Sequence, residues 1–240
     1  MHVEIWSDVV CPWCYIGKRR FEKALGQFDQ ADAVDVVWRS FELDPSAPTE
    51  GELDLVTRLA SKYGVSRPQA EAMNQRVSDI AAGEGLRYRL DIARPGRTFD
   101  AHRLLHLAAD RGRQDALKEA LLAAYQTQGQ PIADPEVLRR VAVGAGLDEH
   151  EVHQVLAGDE YADDVRHDER EARELGISGV PFFVIDRRYG VSGAQPSDVL
   201  LEALQRAWAD RSPLEVIASD AGSTADPDAC GPDGCDLPAR

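Results

Sequence analysis

No cysteine lies between Cys14 and Cys230, no stretch approaches about 18 consecutive apolar residues, and basic charge is scarce. Each absence excludes something. Without a long apolar run there is no membrane-spanning helix. The first residues, MHVEIWSDVV, interleave acids and carry no basic n-region, so the expectation is a cytoplasmic chain without a secretory signal. With 27 Lys and Arg against 42 Asp and Glu, the net charge is −15. Such a surface repels phosphate backbones, and nucleic acid is not an expected partner. The cysteine-free middle excludes a secreted disulfide scaffold, whose bridges would run through the core. The remaining composition is ordinary. A chain of 240 residues with 43% hydrophobic and 29% charged residues is neither wholly disordered nor fibrous. It is long enough for one large domain or two small ones.

The four cysteines fall as two local pairs at opposite ends, Cys11 with Cys14 and Cys230 with Cys235. That pattern points to redox chemistry or to metal. Around the first pair, His2–Ser7 reads as a strand, residues 14–28 as a helix with Ile16, Phe21, Leu25 and Phe28 near a 3.6 period, and Val34–Phe41 as a second strand. The segment from Leu53 to Gly176 carries little strand signal and predicts six or seven helices, among them 99–111, 115–127 and 135–145. Asp134 before Pro135 predicts an N-cap with proline in the first turn. Strand character returns at Pro181–Asp186 and Tyr189–Ser192, an antiparallel pair around Arg187–Arg188, and a last helix is expected over 197–209. Residues 212–240 have the composition of a mobile tail.

Cys11-Pro12-Trp13-Cys14 stands directly after a strand and at the start of a helix. A helix N-terminus carries partial positive charge and unpaired N–H groups, so a thiolate on Cys11 is expected to be stabilised there. Pro12 suits the first turn because its missing N–H costs nothing. Cys14, one turn further, can attack a mixed disulfide formed on Cys11. The expected order is an exposed nucleophile and a shielded resolving thiol. Half of a zinc site is the competing reading, with the second pair completing four ligands.

Pro181 precedes the apolar strand PFFVI. Proline is tolerated at the first residue of a strand on structural grounds alone. Functionally, a cis Val180–Pro181 bond beside the cysteine pair would leave the Val180 backbone free to pair with an extended substrate.

The order of strand, CPWC, helix, strand, long helical stretch, GVPFF, hairpin and helix resembles the DsbA-like thioredoxin superfamily. The segments Ser7-Asp8-Val9-Val10-Cys11-Pro12-Trp13-Cys14, Gly176-Ile177-Ser178-Gly179-Val180-Pro181-Phe182 and Ser192-Gly193-Ala194-Gln195 are similar to its FrnE-like branch. That branch neighbours 2-hydroxychromene-2-carboxylate isomerases and kappa-class glutathione transferases. The resemblance implies an α/β, thioredoxin-like fold with a large all-helical insertion and a C-terminal tail. It divides the chain into a thioredoxin-like domain of 1–52 and 176–211, a helical insertion of 53–175 and a tail of 212–240. It implies thiol–disulfide exchange on protein or small-molecule substrates, with a thiol electron donor, at Cys11 and Cys14. Pro12, Trp13, Val180 and Pro181 then line the substrate site, and no cofactor or metal is called for. The related isomerases and transferases have serine where this chain has Cys11, which argues against their activities here. Trp13 stands where periplasmic DsbA has histidine, and an indole offers a thiolate no cation.

Cys230-Gly231-Pro232-Asp233-Gly234-Cys235 encloses a turn-forming string that would bring its two sulfurs together. A staple across so short a loop restrains little of the chain. A second redox pair fits better, because the linker from Pro213 to Cys230 gives a flexible reach on the order of 20 Å. Some FrnE-like proteins carry a C-terminal C-x4-C, which adds to that reading.

Weaker signals complete the list. His102 and His106 have metal-compatible spacing but read as ordinary helix histidines. Glu4 reads as a buried acid near Cys14 or, more simply, as a surface or paired acid. Gln195 reads as an active-site rim residue or a plain loop residue, and Trp6, Trp38 and Trp208 as core. The alternatives to a dithiol oxidoreductase are a four-cysteine zinc protein and a glutathione-dependent isomerase or transferase. The oligomeric state is not set by the sequence.

Overall fold

The computed structural model describes residues 1–48 and 54–211. Its centre is β1 (His2–Ser7), buried from Val3 to Ser7 because it is covered on both faces. Strand alternation sends Val3 and Ile5 to one side, where they meet Phe21, Phe183, Leu200 and Leu204. It sends Trp6 to the other side, against Ala172, Ile177 and Val184. Pro12–Leu25 forms α1, and the crossover through it returns the chain as β2 (Asp35–Ser40), parallel to β1 with Ile5 opposite Trp38. A 3₁₀ turn at Ala31–Ala33 precedes β2. β3 (Phe182–Ile185) runs antiparallel on the other side of β1, and β4 (Tyr189–Ser192) closes the sheet in the order β2-β1-β3-β4.

Helix α1 begins two residues before the sequence periodicity suggests. Cys11 takes extended angles as the N-cap, Pro12 fills the first turn, and the Cys14 N–H already donates to the Cys11 carbonyl at 3.1 Å. The helix stops at Leu25 rather than Phe28, because Gly26 ends it and the next residues form single turns. Phe28 still packs into the core, edge-on to Trp208.

Seven helices of the described residues fill the span between β2 and β3: α2 (Leu55–Tyr63), α3 (Arg67–Gly83), α4 (Phe99–Asp110), α5 (Gln114–Gln126), α6 (Pro135–Gly144), α7 (Glu149–Ala157) and α8 (Ala162–Glu174). The Asp134 cap is present, accepting from the Glu136 N–H at 2.8 Å. Helix α9 (Ser197–Ala209) covers the α1 side of the sheet. Residues Met1–Ala209 form one compact unit in which the helices share a core with α1: Cys14, Tyr15 and Ile16 pack with Leu104, Leu117, Leu121 and Tyr125.

The β3–β4 hairpin turns through Asp186 and Arg187, both with positive φ, an arrangement that usually favours Asn and Gly. Arg187 occupies it while its guanidinium reaches Glu4 and Glu171. Glu4 is fully buried, and its bonds go to Arg39 at 2.9 Å and Arg187 at 2.6 Å. It is therefore a paired acid of the sheet and not a partner of Cys14. Burial opposes its charge, but the two arginines outweigh burial and hold it below the usual carboxylate range.

Helix α1 approaches the loop before β3 closely enough to require glycine. A Cβ at Gly17 would stand 2.8 Å from Pro181 Cγ, whereas one at Gly83 would meet open space. Gly17→Ala is expected to cost about 1–3 kcal/mol through overpacking. Gly83→Ala should be neutral or stabilising by up to about 1 kcal/mol. Thermal melts of the two variants check this, and equal melting temperatures would contradict the contact.

Candidate active site

Three elements meet at the start of α1. The turn after β1 supplies Asp8, whose carbonyl accepts from the Cys11 N–H at 3.2 Å. Tyr88 donates to the Pro12 carbonyl at 2.6 Å, and the Gln126 side-chain amide donates to the Val9 carbonyl at 3.3 Å. The loop ahead of β3 supplies Val180 and Pro181, joined by a cis peptide bond. The Val180 carbonyl lies 3.5 Å from Cys11 Sγ and accepts its S–H. Both cysteines are free thiols. The structure thus brings Cys11, Pro12, Trp13, Cys14, Val180 and Pro181 together. Cys230 and Cys235 lie outside the described residues, and so does the four-cysteine zinc reading that needs them. Among the described residues no cluster of three or more metal-ligating side chains forms.

Two expectations about the thiols need correction. Cys11 is not exposed in the resting structure, at 3% accessibility; the exposed member of the motif is Trp13, at 41%. Cys11 does, however, line a cavity of about 480 Å³, together with Pro12, Trp13 and Val180, while Cys14 lies behind it. Nor does the helix start prevail at Cys11. The Cys11 sulfur is favoured in its charged form by the Cys14 N–H, as expected there, but other effects outweigh this. Its hydrogen bond with Cys14, then burial and the Cys14 charge, push the Cys11 thiol well up. Burial also opposes a charge on Cys14. The Cys11 thiol, the Lys118 ammonium and the Ser7 hydroxyl outweigh burial there, and Cys14 falls below the ordinary thiol value. The pair therefore gives up one proton readily and holds the second.

Lys118 is the residue that sequence reasoning missed. It is fully buried on α5, with Nζ 3.3 Å from the Ser7 carbonyl and 5.3 Å over the Trp38 ring. Burial drives its pKa down to about 8 against the pull of Cys14 and Asp8. Its signal was present in the sequence: 118 falls on the apolar stripe of Leu121, Leu122 and Tyr125, where a lysine needs a reason.

Asp8, the second residue of the Ser7–Cys14 segment, is buried too. It accepts from the Leu43 N–H at 2.8 Å and lies 3.4 Å from His102 Nε2. Burial opposes its charge, but His102, the Leu43 N–H and Lys118 hold its carboxyl below the usual range. His102 and His106 share no ligand. His106 turns to Asp168 at 3.2 Å and to the Ser40 hydroxyl at 3.0 Å. Gln195 is an exposed loop brace, donating to the Ser192 carbonyl at 2.8 Å.

Replacing Lys118 removes the cation behind Cys14. Lys118→Met should raise the pKa of the first thiol to ionise by on the order of 1 unit, read from the ultraviolet thiolate absorbance. Stability carries a second signature. From pH about 8 up to the ordinary lysine value, the unfolded chain keeps a proton that folded Lys118 has lost. Wild-type stability should therefore rise with pH across that window relative to Lys118→Met, and no such slope should appear below it. Parallel stability curves would contradict a buried Lys118.

The chain has known relatives in sequence and in fold. A probable DsbA oxidoreductase of Streptomyces coelicolor is 52% identical, covers both chains completely and superposes with a TM-score of 0.88. The uncharacterised protein YwbO of Bacillus subtilis is 28% identical over 206 residues, 85% of this chain and 96% of that one. A 2-hydroxychromene-2-carboxylate isomerase shares the fold at 13% identity, with a TM-score of 0.64 over 86% of this chain and 95% of its own. The model of the DsbA-like thioredoxin domain matches residues 2–205, and this chain belongs to that family of thioredoxin-like oxidoreductases.

Proposed function

We propose that the protein is a thiol–disulfide oxidoreductase working through Cys11 and Cys14, in the cytoplasm, on protein or small-molecule disulfides. The observation that carries this reading is the placement of Cys11 on a cavity wall beside the Val180 carbonyl, with Cys14 and Lys118 immediately behind it. In the reductive direction the Cys11 proton passes to the Cys14 thiolate as Cys11 Sγ attacks a substrate disulfide. A Cys11–substrate bond forms, the substrate S–S bond breaks, and one substrate thiolate leaves and takes a proton from solvent. Cys14 then loses the proton it received from Cys11 to solvent and, as a thiolate facing the Lys118 ammonium, attacks Cys11 Sγ. The Cys11–Cys14 disulfide forms and the second substrate thiolate departs. The substrate gains two electrons, the dithiol loses two, and an external thiol donor restores it. Run backwards, the same steps oxidise a substrate dithiol. Pro12 and Trp13 shape the near wall, and Val180 and Pro181 offer backbone to an extended substrate.

Cys11→Ser should abolish thiol-dependent disulfide reduction, measured with insulin, because the attacking sulfur is gone. Cys14→Ser should accumulate mixed disulfides on Cys11, detected by mass spectrometry. Near-normal turnover by Cys11→Ser would overturn the assignment.

Cys230 and Cys235 serve in this reading as a second redox pair that exchanges with the first. The turn string between them and the linker before them support it. The double variant Cys230→Ser/Cys235→Ser should recycle the oxidised Cys11–Cys14 pair at a changed rate, followed by alkylation and mass spectrometry. Unchanged kinetics and an unchanged oxidation state of Cys11 would remove the relay.

A further inference from the structure

The cavity above Cys11 has a wall that no described residue fills. Helix α2 has no fully buried residue along its nine positions, and its Leu55, Leu59 and Tyr63 line the open space instead. Seven large hydrophobic side chains are exposed among the described residues, and four of them line this one cavity: Trp13, Leu43 at 37%, Tyr63 at 54% and Met73 at 38%. An apolar surface gathered this way around a reactive sulfur has the character of a ligand site.

Its charge is the unexpected part. In a chain of net charge −15, the acidic and basic side chains lining the cavity are Asp8, Asp44, Arg58, Lys62 and Arg76. Asp8 is engaged at the back by Leu43 and His102, and Asp44 is held by Arg58. Lys62 and Arg76 have no carboxylate partner among the described residues. Lys62 stands only over the ring of Tyr63, at 5.9 Å from its centre. Two cations of α2 and α3, without a carboxylate partner among the described residues, thus face the same apolar space that Cys11 lines.

We infer that this cavity selects low-molecular-weight disulfides and thiols that carry carboxylates, with Lys62 and Arg76 as the specificity-determining cations and the α2–α3 wall covering the apolar part of the ligand. The inference rests on the redox function proposed above and adds its substrate class. The volume of about 480 Å³ suits a small molecule. The chemistry is the exchange already written: one carboxylate-bearing thiolate leaves as Cys11 forms the mixed disulfide, and the second leaves as Cys14 closes the Cys11–Cys14 bond. A dithiol such as dithiothreitol supplies the two electrons in the assay. The cations hold the acid while the sulfur is attacked, so their contribution belongs to binding.

Three disulfides of similar skeleton test it on the full-length protein: 3,3′-dithiodipropionate, its neutral diamide, and the dication cystamine. Each enzymatic rate is divided by the uncatalysed rate with dithiothreitol. The expected kcat/KM for the diacid exceeds that for the diamide by roughly tenfold at low salt, and the ratio shrinks as salt rises. In Lys62→Gln/Arg76→Gln the ratio should fall toward one, with the loss residing in KM. Lys62→Arg should retain the preference, and Lys62→Glu/Arg76→Glu should shift it toward cystamine. Equal normalised rates for all three disulfides in the wild type, or a ratio that ignores both double variants, would overturn the carboxylate site while leaving Cys11 chemistry standing. Reduction of insulin but of none of the three would overturn this inference alone, and reduction of neither insulin nor the three would overturn the redox reading with it.

Discussion

The position of the first turn of α1 governs everything at the site. It is fixed from three directions at once: the Cys11 N–H on the Asp8 carbonyl, the Tyr88 hydroxyl on the Pro12 carbonyl, and Pro181 packed on the bare face of Gly17. The first N–H groups of a helix have no intrahelical acceptor, so the Asp8 carbonyl holds the Cys11 N–H without competing with the helix, and the Pro12 carbonyl has a second lone pair for Tyr88. Those anchors put Cys11 on the cavity wall, put Cys14 in the helical core, and bring the β3 loop against the same turn.

Around that turn the protein buries charge. Asp8, Lys118 and His102 form one group behind the thiols; Glu4, Arg39, Arg187 and Asp168 form another across the sheet. Such groups are costly to assemble and more costly to break, because a buried member such as Glu4, Asp168 or Lys118 left without its partners becomes an unpaired buried ion. The second group explains how Arg187 is kept at a positive φ in the hairpin turn. The first has a chemical consequence: a lysine held near pH 8 behind Cys14 stabilises a single charge on the dithiol, and the same low-dielectric setting opposes a second.

Much of this was legible in the sequence, and for local reasons. The β1–CPWC–α1–β2 order follows from periodicity and from proline at a helix start, and the Asp134–Pro135 cap and the β3–β4 hairpin are spelled out by adjacent residues. The DsbA-like resemblance joined the two halves of the sheet across the helical span. What stayed hidden was set by partners far away in sequence. The ease with which the dithiol gives up its first proton depends on Lys118, more than a hundred positions from Cys14, as well as on the local helix start. Glu4 alternates onto a sheet face that α8 covers, so its fate was decided by Arg39 and Arg187. The accessibility of Cys11 likewise depends on the α2–α3 wall and on Val180, which local spacing does not reveal.

The central claim is that Cys11 and Cys14 act as one redox unit. The direct measurement is their oxidation state across a series of thiol–disulfide buffers of defined potential, read by alkylation and mass spectrometry in a chain carrying Cys230→Ser and Cys235→Ser. The account expects one two-electron transition in which both thiols disappear together and an intramolecular disulfide forms. Two thiols that remain alkylatable at every potential, or that oxidise separately, would contradict it.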